Sequence, residues 1–174
     1  IGDGAWFTRG VWDPAAHGGE APRDLIDAAV RGAFETLDVV AFFSDLAEWE
    51  SYVDRWADEL GRDLCVKASA RHAIAWDMRI RGKEFTVDGA MRTHDEVVER
   101  AFRHDGDPRT SQHVYNAKRR PNAWGVTFGK EHRESKRKVD ALSAGTLARM
   151  ARRAYLSLPP NRQRRTRTGR ASFA

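Results

Sequence analysis

The stretch VVAFFSDLAEWES, residues 39–51, is apolar for five residues and then, after Ser44, meets a carboxylate, Asp45, before a second patterned run begins. An apolar run this short reads as a strand over 38–44 with both faces covered, not as a helix. A carboxylate at the end of such a strand costs desolvation energy unless something binds it. The C-terminal ends of strands are also where open α/β sheets place ligands and chemistry. Two readings stand at this point: Asp45 caps a helix beginning at Leu46, or it holds a ligand. Glu48 and Glu50 follow on the same first turn, where acids complement the helix dipole.

Outward from this stretch the pattern alternates. Upstream, Pro22 sits where a first helical turn tolerates it, and Ile26, Val30, Ala33, Phe34 and Leu37 recur at helical spacing. Downstream, Trp49, Val53, Trp56 and Leu60 repeat the pattern until Gly61 ends it. DLCVKA, residues 63–68, is a second short buried strand. Helix, strand, helix, strand predicts parallel strands with crossover helices, an α/β fold. From Ala73 to Phe102 the chain reads as mostly helical, bent near Gly82 and Gly89. The loop RHDGDP follows, then a helix RTSQHVYNAKRR stopped by Pro121 and a strand AWGVTFG. A long helix from Ser135 to Leu156 comes last, with Val139, Leu142, Thr146, Leu147, Met150 and Ala151 facing inward and Leu158 just beyond it. Gly2-Asp3-Gly4 reads as a hairpin turn whose first strand lies before it.

The chain has 174 residues, enough for one domain with a core. No apolar run approaches the roughly 18–20 residues of a membrane span, and no membrane partner is expected. The single cysteine, Cys65, excludes an internal disulfide and a cysteine-based zinc site. The net charge is +5, and its placement is uneven. Arg162, Arg164, Arg165, Arg167 and Arg170 crowd the last sixteen residues; the other twenty-five Lys and Arg are matched by twenty-five Asp and Glu. A second basic region carries Lys118, Arg119, Arg120, Lys130, Arg133, Lys136, Arg137 and Lys138 against only Glu131 and Glu134. Such segments on a neutral body suggest a polyanion, most simply nucleic acid; a solvated surface with a disordered tail is the other reading.

Asp140 lies in KRKVDALSAGTLARM, an apolar, small-residue helix pattern, where an acid either faces solvent or points at a cation. Two acids from distant elements meeting at a sheet edge repel unless divalent cations bridge them. Hard cations such as Mg²⁺ and Mn²⁺ take carboxylate oxygens in open sites of that kind.

The blocks HDGDP, HVYNAKRRPN and GKEHRESKRKVDA, in that order, resemble the C-terminal nuclease domain of tailed-phage large terminase subunits, especially those of actinobacterial phages. The resemblance covers residues 5–156. It implies an RNase H-like mixed sheet flanked by helices over residues 1–158, followed by a basic, disordered tail over 159–174. It implies an endonuclease that cuts concatemeric double-stranded viral DNA during genome packaging. In that family three acids hold two Mg²⁺ or Mn²⁺ ions; Asp45 matches the second acid and Asp140 the third. No residue here matches the first, which the family carries on a central first strand, so that strand and its acid are expected upstream of Ile1. Lys118, Arg119, Arg120, Lys130, Lys136, Arg137 and Lys138 are the expected DNA contacts. The family's partners are the small terminase subunit and the portal protein, in the host cytoplasm at the procapsid; the isolated domain is expected to be a monomer. No G-x-x-x-x-G-K-[ST] loop is present, so this chain alone is not expected to translocate DNA. Two other readings stay open: a different RNase H-like nuclease such as a junction resolvase, and a DNA-binding module without catalysis.

Six further expectations concern single residues. His104, Asp105 and Asp107 are read as turn formers. His113 and Asn116, one helical turn apart, either face the cleft or cap a loop. The six tryptophans are read as core.

Overall fold

Two apolar cores lie on opposite sides of the 39–45 segment. In the computed structural model, which describes residues 4–164, Val40 and Phe43 pack with Val66, Trp76, Phe85, Leu147, Met150 and Tyr155. Val39 and Phe42 pack instead with Val53, Trp56, Leu64 and Ile74. That is the double coverage expected of a continuous apolar run. The spacing of three between like-facing residues is not the two-residue period of a pleated strand, however. Regular pairing is correspondingly brief. Ala41 forms a single parallel bridge with Val66, and only Ser44–Asp45 (β1) pairs in a ladder, parallel to Ala75–Trp76 (β2).

The second core rests on two helices. Arg23–Thr36 (α1) contributes Ile26, Val30 and Phe34, and Glu50–Leu60 (α2) contributes Val53 and Trp56. Phe34, Phe42, Trp49, Tyr52 and Trp56 form a chain of rings with centroids 5.5–6.2 Å apart, a separation at which aromatic pairs attract. The Trp56 Nε1–H donates to Asp27 at 2.6 Å, tying α2 to α1.

The helix expected from Ala73 begins later. His72 Nδ1 accepts the amides of Ile74 and Ala75 at 3.1 and 2.9 Å and draws the chain into an extended run that becomes β2. The helical stretch consists of Gly82–Glu84 (α3), a π-helical segment Phe85–Met91 and Arg92–Val98 (α4). The irregularity expected at Gly89 is thus a π-turn. A Cβ at Gly89 would stand 2.9 Å from the Met150 sulfur, so the wide turn lets the backbone approach the last helix closely.

Pro108–Asn116 (α5) starts as the HDGDP block predicts, with the Asp107 carboxylate accepting the Arg109 and Thr110 amides at 2.9 and 3.0 Å. It stops sooner than expected. Lys118–Asn122 (β3) turns into an antiparallel hairpin with Gly125–Gly129 (β4). Pro121 biases Arg120 away from helical backbone, and an edge strand tolerates the missing donor. Asp140–Leu156 (α6) is the last helix and begins five residues after the expected Ser135.

The expected mixed sheet is therefore present only as two small two-stranded sheets among the described residues, in a mixed α/β fold. The tail expected to be disordered from 159 begins ordered: Pro160–Arg162 form a 3₁₀ turn, and Arg164 pairs with Asp38 and the Asp63 carbonyl. The remainder of that tail and the Gly2-Asp3 turn lie outside the described residues.

The N-terminal segment is held by α6. Trp6 bridges His104, stacks on Phe102 and lies over Gly145, where a Cβ would meet the indole at 1.7 Å. Gly145→Ala should displace Trp6 and destabilise the fold by about 1–3 kcal/mol, as overpacking does. At roughly 2–4 °C per kcal/mol for a chain of this size, calorimetry should show the fall in Tm.

Candidate functional site

Asp45 ends β1 and is half-buried. Its Oδ1 accepts the Leu46 amide at 2.9 Å, and the Ala47 and Met78 amides also donate to its carboxylate. Burial pushes its pKa above the usual carboxylate range, the three amides oppose that, and the nearby Asp77 charge adds to the rise. The cap reading is thus partly met, but for a turn: the helix expected at Leu46 starts at Glu50. Between them Glu48 adopts φ 66°, a left-handed conformation uncommon for a non-glycine residue.

The rise gives a signed prediction. A carboxylate whose folded pKa is raised stabilises the fold only below its unfolded pKa, and the contribution disappears as pH climbs through the folded value. At neutral pH in EDTA, ionising Asp45 therefore counts against the fold. Asp45→Asn should raise Tm by about 1–2 °C there, and the difference should close below the ordinary pKa of 3.8.

Asp77 was not foreseen, because Ala73–Phe102 reads as helix in the sequence. It follows β2 directly, beside Asp45, with Arg79 bonding it through Nε and Nη2 at 3.0 and 2.9 Å. Those bonds hold its pKa below the usual range. Two carboxylates thus end adjacent parallel strands, one bonded by Arg79 and the other hydrogen-bonded by amides, with the Arg79 charge acting on both.

Asp140 is the first residue of α6 and is exposed, not in the midst of the helix as its sequence suggests. An acid there also suits the helix dipole. α6 packs against β1, so the two acids matched to the family sit on contacting elements. Among the described residues, no group of three or more His, Cys, Asp or Glu forms a metal site. The oxygen donors of Asp45 and Asp140 are of the type Mg²⁺ and Mn²⁺ take, but they make only part of a ligand set.

His113 and Asn116 resolve to the capping alternative. His113 Nδ1 accepts the Ala141 amide at 2.9 Å, and Asn116 Nδ2 donates to the Lys138 carbonyl at 2.9 Å. Burial lowers the His113 pKa, against the opposing Asp140 charge.

The hairpin brings together basic residues that are distant in sequence. Lys118 pairs opposite Gly129, so Lys118, Arg119 and Arg120 run beside Lys130. Lys118, Arg119, Arg120, Lys136 and Arg137 are exposed; Lys130 and Lys138 are partly buried. Arg120 is also engaged by the Lys130 and Glu131 carbonyls, and Arg137 lies 3.6 Å from Glu131. His104, Asp105 and Asp107 act as turn formers: His104 accepts the Gly106 amide, Asp105 accepts those of Thr8 and Asp107, and Asp107 caps α5. Of the six tryptophans, Trp124 departs from the core reading, half-exposed near the hairpin tip. Cys65 is a free, partly buried thiol. No helix among the described residues is long and apolar enough to cross a membrane.

No protein-family model matches the chain, and no solved structure matches it. It is 42% identical over 171 residues to "Gene 13 protein" of Mycobacterium phage D29, a match covering 98% of this chain and 28% of that protein. It is likewise 42% identical over 157 residues to "Gene 13 protein" of Mycobacterium phage L5, covering 90% of this chain and 26% of that protein. The chain thus spans about a quarter of the length of these phage relatives.

Proposed function

We propose that this chain is part of the nuclease domain of a phage large terminase subunit, cutting double-stranded DNA by metal-assisted phosphodiester hydrolysis. The observation that carries the reading is the mounting of Asp140. Asn116, two residues before Lys118, bonds the backbone of Lys138, two residues before Asp140, so a basic hairpin and an exposed acid share one support. The quoted sequence blocks favour the terminase assignment over other nucleases, and the relatives are phage proteins.

In this reading Asp45 and Asp140 hold Mg²⁺ or Mn²⁺ together with a third carboxylate on a strand supplied upstream. The bound ions supply an activated water and stabilise the leaving oxygen. The chain's own contribution is to place the acids and the DNA. Asp45 takes its hydrogen bonds from amides and feels the Arg79 charge without bonding it, which leaves its carboxylate available to a cation. The basic residues grip phosphates, which gives position without base preference. Among the described residues, the backbone of 40–45 bonds to 65–66 and to 74–76. The small terminase subunit and the portal protein are the proposed partners, in the host cytoplasm.

A second reading is a DNA-binding module without catalysis, carried by the exposed Lys118, Arg119 and Arg120 on the hairpin. Incubating supercoiled plasmid with the chain, extended upstream to the relatives' length, separates the two. Cleavage that needs Mn²⁺ and stops in EDTA supports the nuclease. Salt-sensitive binding indifferent to Mn²⁺, with the DNA left intact, supports the module. A preference for branched over linear DNA would point to a resolvase.

A further inference from the structure

We infer that His113 and Asn116 are positioning residues for Asp140, an inference that rests on the nuclease reading. The first amides of a helix have no partner within it, and α6 begins after Val139, whose side chain accepts nothing. His113 supplies the missing acceptor from another helix, binding the Ala141 amide through Nδ1. The ring proton therefore sits on Nε2. On the other side of Asp140, the Lys138 carbonyl accepts from Asn116, and Gln112 Nε2 fixes the Asn116 amide by donating to its Oδ1 at 3.0 Å.

His113 and Asn116 stand three residues apart, on one face of α5. Together they grip the chain two residues before and one residue after an exposed carboxylate. A cap alone needs only the bond to Ala141; the second grip adds nothing to the helix end and fixes the residues leading into Asp140. Partners of this kind orient ligands more than they hold the fold, and their loss typically costs about 10–100-fold in metal affinity.

The test is made on the full chain extended upstream to the length of the phage relatives. Plasmid cleavage is measured across Mn²⁺ concentrations, and DNA affinity separately in EDTA. His113→Leu removes the acceptor and should raise the Mn²⁺ needed for half-maximal cutting about 10–100-fold, with DNA affinity unchanged. His113→Asn keeps an acceptor near the Nδ1 position and should restore the requirement to within about threefold of the original, by the same bond accounting. Asn116→Leu, close in shape, should repeat the His113→Leu result and substitutes for it should that variant not fold. An unchanged Mn²⁺ requirement in a folded His113→Leu or Asn116→Leu protein, or a His113→Asn protein as impaired as His113→Leu, overturns the inference. Absence of Mn²⁺-dependent cutting by the unsubstituted protein overturns the nuclease reading itself, and undiminished cutting by Asp140→Asn overturns the metal role of Asp140, whatever the His113 variants do.

Discussion

Asp45→Asn and Asp140→Asn should each cut the rate of Mn²⁺-dependent plasmid cleavage by on the order of 100-fold or more, with folding intact. A divalent ion contributes several kcal/mol to charge stabilisation in phosphoryl chemistry, and about 3 kcal/mol corresponds to roughly 100-fold in rate. Replacing either acid by its amide keeps its shape while removing the charge that holds the ion. The two variants should differ elsewhere. Asp45→Asn relieves a half-buried charge, so the inactive protein should melt higher; Asp140 is exposed, so its variant should melt near the original. Loss of cutting with that split in Tm would mark Asp45 as a residue kept at the expense of stability. Cutting that persists in both variants would sink the metal assignment.

Glu96→Ala should destabilise the fold by about 3 kcal/mol, the low end for breaking a buried ion pair, or roughly 6–12 °C in Tm. Glu96 on α4 accepts from Arg149 at 2.8 Å and from Arg153 at 2.9 Å. Arg149, its side chain only 8% exposed, also donates to the Gly4 carbonyl at 2.7 Å and lies 4.3 Å above the Phe102 ring. Removing the carboxylate leaves a buried guanidinium without a counter-charge. Burial alone would raise the Glu96 pKa, but the Arg149 bond and the two guanidinium charges outweigh it and lower the value. Such a group stabilises the fold above its ordinary pKa of 4.5, and that contribution fades as pH falls through the lowered folded value. The gap in Tm between the original and Glu96→Ala should therefore narrow in acid. A gap that holds at low pH would mean packing, not charge, sets the loss.

What the sequence made legible was whatever short-range chemistry decides. The RHDGDP block announced a turn leading into a helix, and the apolar run before Asp45 announced a segment buried on both sides. The hidden parts are those where a specific side-chain or strand partner overrides the apolar pattern. His72 reaches forward to the Ile74 and Ala75 amides and converts an expected helix into β2, which is why Asp77 escaped notice as a neighbour of Asp45. The helix expected through Arg120 became a hairpin strand because Gly125–Gly129, just beyond the turn, offered a partner. Asp140 reads from its sequence as mid-helix yet stands first in α6, since the clamp that sets where α6 begins comes from α5. The basic residues were legible as a composition, and their convergence on one hairpin was not.

The binding of Gly4 by Arg149 and of Trp6 by Gly145 also sets a timetable. The Gly4–Arg149 contact spans 145 positions, so on a ribosome adding roughly 5–20 residues per second it becomes possible roughly 7–30 s after Gly4 is made. Until then the front of the chain has no bed for its indole, and the buried guanidinium web does not exist. Closing so long a loop costs entropy that local contacts repay only late. The segment around Gly4 and Trp6 is thus among the last parts of this stretch to settle.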